Sequence, residues 1–138
     1  MNLYEIKVRY LRQTGEDNPG AVTETYIVEG LTPSDAEKRI MDELKPFIFG
    51  EFNVQVIRTR RFHDIVGTGS GDVWHEGKVE MITVDDNGAE KRHAVTILVE
   101  APDITEALHS LKNFLASQDS EIIAIRKSAI LDIYRATV

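Results

Sequence analysis

Apolar and charged residues alternate at the start of the chain, and this period of two is typical of a strand with one buried face. The apolar positions are Tyr4, Ile6, Val8 and Tyr10. Residues 23–29 are β-branched and aromatic, which predicts a second strand. Further strands are predicted at residues 73–84 and 94–99. Between them, Asn87 and Gly88 predict a tight hairpin turn, because both residue types tolerate a positive φ.

Two later segments show the apolar spacing of amphipathic helices. Their apolar positions are Ala36, Ile40 and Leu44 in the first segment, and Ile104, Ala107, Leu108, Leu111, Phe114 and Leu115 in the second. Thr32 followed by Pro33 predicts the start of the first helix, since a hydroxyl cap and proline in the first turn are both favoured there. Asp103 is predicted to cap the second helix. Pro46 is expected to end the first.

The two halves of the chain follow the same order of elements, with third strands predicted at residues 52–59 and 121–127. Shifting the first half by 71 residues, and by 68 after the helix, aligns many identical residues. The aligned pairs include Glu5 with Glu76, Lys7 with Lys78, Ala36 with Ala107, Leu44 with Leu115, Arg58 with Arg126, and Asp64 with Asp132. We therefore predict an internal duplication of a β-β-α-β unit, in residues 1–66 and 73–138, joined by a Gly/Ser linker at residues 67–72.

The predicted fold class is α+β. Each unit alone would leave an apolar face uncovered, so we expect both helices to pack on antiparallel sheet about a pseudo-twofold axis, in one compact domain. The pattern leaves open whether the strands form one continuous sheet or two facing sheets.

Four blocks of the sequence resemble an uncharacterised family of small bacterial proteins, classed as a domain of unknown function. The blocks are residues 22–40, 46–52, 83–103 and 130–134, of which PFIFGEF at residues 46–52 is the most specific. The resemblance spans nearly the whole chain apart from the first hairpin tip and the Gly-rich connector. It implies an intact natural unit, and it brings no activity, cofactor or catalytic residue with it.

Composition narrows the classes of function. The chain has 138 residues, 16 Lys and Arg against 23 Asp and Glu, and a net charge of −7. This charge has the wrong sign for a general nucleic-acid binder. The chain contains no cysteine, so disulfides and cysteine zinc sites are excluded. Without a signal-peptide pattern or an apolar run of membrane length, the sequence predicts a cytoplasmic protein that does not enter the membrane.

The arginines after the first helix are the best candidates for a binding site. Arg58 and Arg126 occupy equivalent positions, and Arg60, Arg61 and Lys127 lie next to them. A guanidinium presents donors in a planar fork, so this pair could grip a small anionic ligand or a phosphate backbone. The alternative, which the surplus of carboxylates favours, is cross-strand pairing with glutamate.

Asp64 and Asp132 are also equivalent, and a twofold arrangement could bring them together as a pair of acid–base carboxylates. The favoured alternative is that each aspartate accepts a hydrogen bond from a nearby backbone amide. The histidines are interpreted as ordinary surface or boundary residues, because none has metal-ligand spacing. They are His63, His75, His93 and His109.

Phe47, Phe49 and Phe52 crowd around Gly50 just after the first helix. Exposed aromatic rings could stack on a ligand, whereas a cluster of this kind more often closes one end of a core.

We expect a non-enzymatic binding or assembly domain, without cofactor or metal, whose partner is an unknown protein or a small anionic ligand. Self-association into a homo-oligomer is part of this hypothesis. The alternatives are a nucleic-acid-binding module that uses the Arg/Lys strip, and a small-molecule enzyme that uses Asp64, Asp132 or His63.

Overall fold

The computed structural model of the chain describes residues 1–12, 20–67 and 73–136. Within these ranges the protein has two helices and eight strands, which confirms the prediction of an α+β fold. The elements are β1 (Asn2–Arg12), β2 (Gly20–Gly30), α1 (Pro33–Leu44), β3 (Phe52–Arg60), β4 (Asp64–Val66), β5 (Val73–Val84), β6 (Glu90–Ala101), α2 (Ile104–Phe114), β7 (Ser120–Lys127) and β8 (Ile130–Tyr134). Most of the predicted linker, residues 68–72, lies outside the described residues.

The chain divides into two compact units. Unit 1 consists of Met1–Arg60 and Ala129–Val138, and unit 2 consists of Arg61–Ser128. Each unit contains one four-stranded sheet, with the order β3-β1-β2-β8 in unit 1 and β4-β6-β5-β7 in unit 2. Unit 1 therefore takes its fourth strand from the C-terminal end of the chain, whereas the strands of unit 2 are contiguous in sequence.

Both sheets are mixed, so the prediction of purely antiparallel sheet is wrong at two strand pairs. Strand β8 pairs with β2 in parallel, and β4 pairs with β6 in parallel. The other pairs are antiparallel. The physical reason is that β4 and β8 do not form hairpins with the preceding strands. Each instead lies at the outer edge of a sheet, β4 beside β6 and β8 beside β2.

Helix α1 covers one face of the sheet in unit 1. The hydroxyl of Thr32 accepts a hydrogen bond from the Asp35 amide at 3.1 Å, which confirms the predicted cap. The buried helix positions are Ala36, Ile40 and Leu44, and the strands contribute Tyr4, Ile6, Val8, Tyr26 and Val28 to the same core. Burial of these apolar side chains is the main source of the stability of the unit.

Helix α2 covers the sheet of unit 2 in the same way, and its Asp103 cap is confirmed by a 2.8 Å bond from the Glu106 amide. Leu111 is fully buried and reaches down to Gly77 on β5, where an added Cβ would lie 2.6 Å from the Leu111 Cδ2 atom. The position equivalent to Gly77 in unit 1 is the buried Ile6. The two cores thus divide the space between strand and helix differently.

The hairpin between β5 and β6 confirms the Asn87-Gly88 turn prediction. Gly88 has a φ of +79° and donates its amide to the Asp85 carbonyl at 3.0 Å. The edge strands β3 and β7 each carry a one-residue register shift, opposite Lys7/Val8 and Lys78/Val79 respectively. Bulges of this kind protect edge strands from pairing with other chains.

Candidate functional site

The segment between α1 and β3 carries the most exposed aromatic side chains described. Residues 47–51, named here the aromatic loop, leave Phe47 77% and Phe49 97% exposed. The loop starts as a tight turn, because the amides of Phe47 and Ile48 both donate to the Leu44 carbonyl. Gly50 has a φ of +86°, which favours glycine and lets the chain turn into β3.

Two residues anchor the aromatic loop to the body of unit 1. Ile48 and Phe52 pack against the core, whereas Phe47 and Phe49 do not. The alternative role for the three phenylalanines was to close one end of the core. Of the three, Phe52 alone packs there. Large exposed apolar groups close together in sequence, on a loop anchored to the core, are typical of interaction sites.

A groove of about 850 Å³ lies between the aromatic loop and the end of β1. Tyr10, Leu11 and Arg12 form one wall, and the aromatic loop forms the other. Strand β3 begins at Phe52, opposite Tyr10, so β1 continues past the end of β3 and leaves this space. A second groove, of about 550 Å³, lies on the other side of the loop and is lined by residues of α1 and β3.

A hydrogen-bonded network lies beside the first groove. The hydroxyls of Tyr10 and Tyr26 both donate to the carboxylate of Glu24. Arg12 lies 4.0 Å from the same carboxylate, and the ring of Tyr134 packs 5.8 Å from that of Tyr26. The network holds Tyr10 and Arg12 in place at the wall of the groove.

The phenols of this network stay protonated well above neutral pH. The hydrogen bond to Glu24 is the main factor that raises the pKa of Tyr10. Burial is the main factor that raises the pKa of Tyr26 and of Tyr134, with nearby carboxylates adding to it. Glu24 was not predicted as a site residue. It could have been found from the alternation along β2, which places this carboxylate on the same face as the buried Tyr26 and Val28.

The candidate arginines pair with buried glutamates across neighbouring strands. Arg58 and Arg60 donate to Glu5, each at 2.7 Å, and Arg126 donates to Glu76 at 2.6 Å. Both glutamates are nearly buried, with side-chain exposures of 7% and 9%. The structure therefore places these arginines in the cross-strand pairs that were the alternative to ligand binding. Lys127 is exposed at the end of β7.

Asp64 and Asp132 are exposed and have the same local structure. Each accepts, through its Oδ1 atom, a 2.8 Å hydrogen bond from the amide of the next residue. They lie in different units, Asp64 in β4 and Asp132 in β8. This is the local backbone role that the sequence favoured for them.

Three of the four histidines are exposed, but the interpretation as surface or boundary residues is wrong for His75, which is fully buried. His75 is 2% exposed on β5, since both faces of this strand are buried there. Its Nδ1 atom has no hydrogen-bond partner among the described residues. Nowhere in the described residues are three His, Asp or Glu side chains grouped closely enough to hold a metal ion.

Fold and site together define a small α+β protein with two units, one of which presents an exposed aromatic loop beside a groove. The chain belongs to the family described as a domain of unknown function, DUF4494, whose model matches residues 2–136. No curated protein matches the chain. Neither helix, among the residues that the structure describes, is long and apolar enough to cross a membrane.

Proposed function

We propose that this protein is a non-enzymatic binding domain that contacts a protein partner through the aromatic loop and the adjoining groove. The observation that carries the proposal is the exposure of Phe47 and Phe49, at 77% and 97%, next to a groove of about 850 Å³. Aromatic anchors are enriched at the centres of protein interfaces, where they supply most of the binding energy.

The charge of the chain supports a protein partner over nucleic acid. The net charge is −7, so the overall field repels phosphate. Arg58, Arg60 and Arg126 are engaged by buried glutamates, and an ion pair of this kind offsets their charge. We therefore assign these arginines to the fold. Binding to single-stranded DNA at low salt that falls with Arg58→Ala would contradict this assignment.

The proposal includes an internal duplication, with residues 1–66 and 73–138 as the two copies. Read from the opposite edge, the second sheet has the order β7-β5-β6-β4, which matches β3-β1-β2-β8 and supports the duplication. The equivalent Glu5–Arg58 and Glu76–Arg126 pairs support it as well. Residues 47–51 have no equivalent of the same length in the second copy, where Gln118 and Asp119 directly precede β7, which starts at Ser120. Under this proposal one copy acquired a contact surface that the other lacks.

The test is affinity capture from native lysate with three forms of the full chain. The double substitution Phe47→Ser and Phe49→Ser should lower recovery of a bound protein at least about tenfold, because interface anchors dominate affinity. The matched control replaces Ile104 and Ile123, which are 47% and 46% exposed in unit 2, by serine. Equal recovery by all three forms would reject the aromatic loop as the contact surface.

A further inference from the structure

The fourth strand of unit 1 is supplied from a distant part of the chain. Strand β8 has five residues and follows β7 of unit 2 after only Ser128 and Ala129. It lies in parallel beside β2, where Ile133 is in register with Ile27 and Tyr134 with Val28. Ile130 is 4% exposed, and Tyr134 packs against the core of unit 1. A short terminal strand therefore completes this core.

The link before β8 explains why this strand leaves the sheet of unit 2. Folding back on β7 through a two-residue loop would require positive φ angles, which Gly and Asn provide. Ser128-Ala129 contains neither, and no described residue other than glycine has a positive φ. A parallel position in the same sheet would need a crossover of a dozen or more residues. Strand β8 must therefore find its place on a sheet other than that of β7.

The places occupied by β8 and β4 are alike in register and in local structure. Asp132 pairs with Tyr26, and Asp64 pairs with Ile97. Ile97 lies 71 positions after Tyr26 and is therefore its equivalent in the repeat. Both aspartates accept a 2.8 Å bond from the following isoleucine. Each place thus accepts a short parallel strand that contains Asp-Ile followed by an apolar or aromatic residue, Val66 in β4 and Tyr134 in β8.

We propose that the β2 edge is a strand-acceptor site whose partner is a second copy of this chain. Strand β8 of one copy takes the position of β8 in the other, and the reverse exchange closes a dimer in which every β2–β8 bond is kept. Exchange of identical elements is a low-cost route to dimers, because the contacts are the same in both forms. This inference is independent of the aromatic loop.

A cysteine pair in the full chain tests the exchange, since the natural sequence has no cysteine. Ile27→Cys and Ile133→Cys lie in register on neighbouring strands, about 4.8 Å apart, which a disulfide can span. After unfolding, refolding and oxidation, the disulfide is intrachain in a monomer and interchain in an exchanged dimer. Denaturing mass analysis without reductant separates the two products.

A linked strand has an effective concentration on the order of 1 mM. We therefore expect mainly intrachain product after refolding at about 10 µM, and comparable amounts of both products near 1 mM. The chain with Ile133→Cys alone measures random cross-linking and should give much less dimer. Intrachain product alone at every concentration would overturn the proposal, and so would dimer formation equal to that of the single-cysteine control.

A peptide of residues 130–136 provides a second measurement. In the full chain, Ile130→Asp places a charge at a buried position and should displace β8. This variant should bind the peptide at least tenfold more tightly than the wild-type chain, whose acceptor site is filled. Absence of binding to a variant whose tyrosine signal, the probe of unit 1, still shows a cooperative unfolding transition in urea would contradict the proposal. If the variant does not fold, the disulfide measurement on its own decides the question.

Discussion

The two units differ most in the segment that follows the helix. In unit 2 the amide of Ile82 on β5 donates to the Asp119 carbonyl at 2.9 Å, so the short turn is tied to this strand. In unit 1 the equivalent position is Leu11, and it lines the groove beside the aromatic loop. Three additional residues thus replace a closed turn by a groove with exposed aromatic side chains.

The shared features and the differing features have different consequences. Both units keep a capped helix and a glutamate paired with an arginine across strands, and these contacts stabilise the fold. Only unit 1 has the aromatic loop and the tyrosine network around Glu24. The comparison therefore separates residues that maintain the scaffold from residues available for a function.

The largest expected effect tests whether the two cores are energetically equivalent. Ile40→Ala in unit 1 and Leu111→Ala in unit 2 each remove a fully buried side chain from the same helix position. Each should lower the free energy of unfolding by about 3 kcal/mol, because a cavity remains. Urea unfolding measures the loss of stability in both variants.

The two units can be followed separately during unfolding. All four tyrosines lie in unit 1 and the single tryptophan, Trp74, lies in unit 2, so each unit has its own spectroscopic probe. A cost below about 1 kcal/mol for either variant would contradict equivalent packing.

A smaller effect is expected where the cores differ. Gly77→Ala should cost about 2 kcal/mol, because the new methyl group would force the buried Leu111 side chain to move. The matched control is Gly20→Ala, where no atom lies within 4 Å of the added carbon. The control should change stability by less than about 0.5 kcal/mol. Equal midpoints in urea for the two variants would show that the close approach of α2 to β5 is not tight.

The elements of the fold could largely be predicted from the sequence, but the parallel pairing of β4 with β6 and of β8 with β2 could not. Period-two and helical patterns are local, so they located three strands and a helix in each half, with both caps. Strands β4 and β8 have three and five residues, too few for a pattern, and their partners are fixed by tertiary contacts. The sequence already offered pairing with glutamate as the alternative role of the arginines. The burial of His75 and the hydrogen bond of Glu24 with Tyr10 depend on neighbours distant in sequence.

The helix caps should show matched effects in the two units. Thr32→Ala and Asp103→Ala each remove the acceptor for one amide at a helix start, and each should cost about 1 kcal/mol. Ser34→Ala and Thr105→Ala are the controls, since they lie in the same helical turns at equivalent positions. Thermal unfolding of the four variants measures the costs. A control that costs as much as its cap would mean that the capping bond is not the cause.

The smallest effect concerns alkaline pH and should be confined to unit 1. The pKa values of Tyr10, Tyr26 and Tyr134 are raised in the folded chain. The unfolded chain therefore loses these protons first, near the ordinary phenol pKa of about 10. The resulting stabilisation is complete below that pH and is lost as the pH rises through the folded values.

Glu24→Gln should weaken this dependence, because the carboxylate contributes to all three shifts. The measurement is the urea midpoint of the tyrosine signal at increasing alkaline pH, with Trp74 as the internal reference for unit 2. An unchanged slope in the Glu24→Gln chain would contradict the role given to the network.

Site-specific photo-crosslinking determines whether the aromatic loop is a protein-binding surface. A photoreactive phenylalanine analogue is placed at position 49 in unit 1 or, as a matched site, at position 104 in unit 2, and both chains are irradiated in native lysate. If the aromatic loop binds a protein, a discrete adduct should form from position 49 and should be absent from position 104. The same adducts from both positions, or none from position 49, would contradict it.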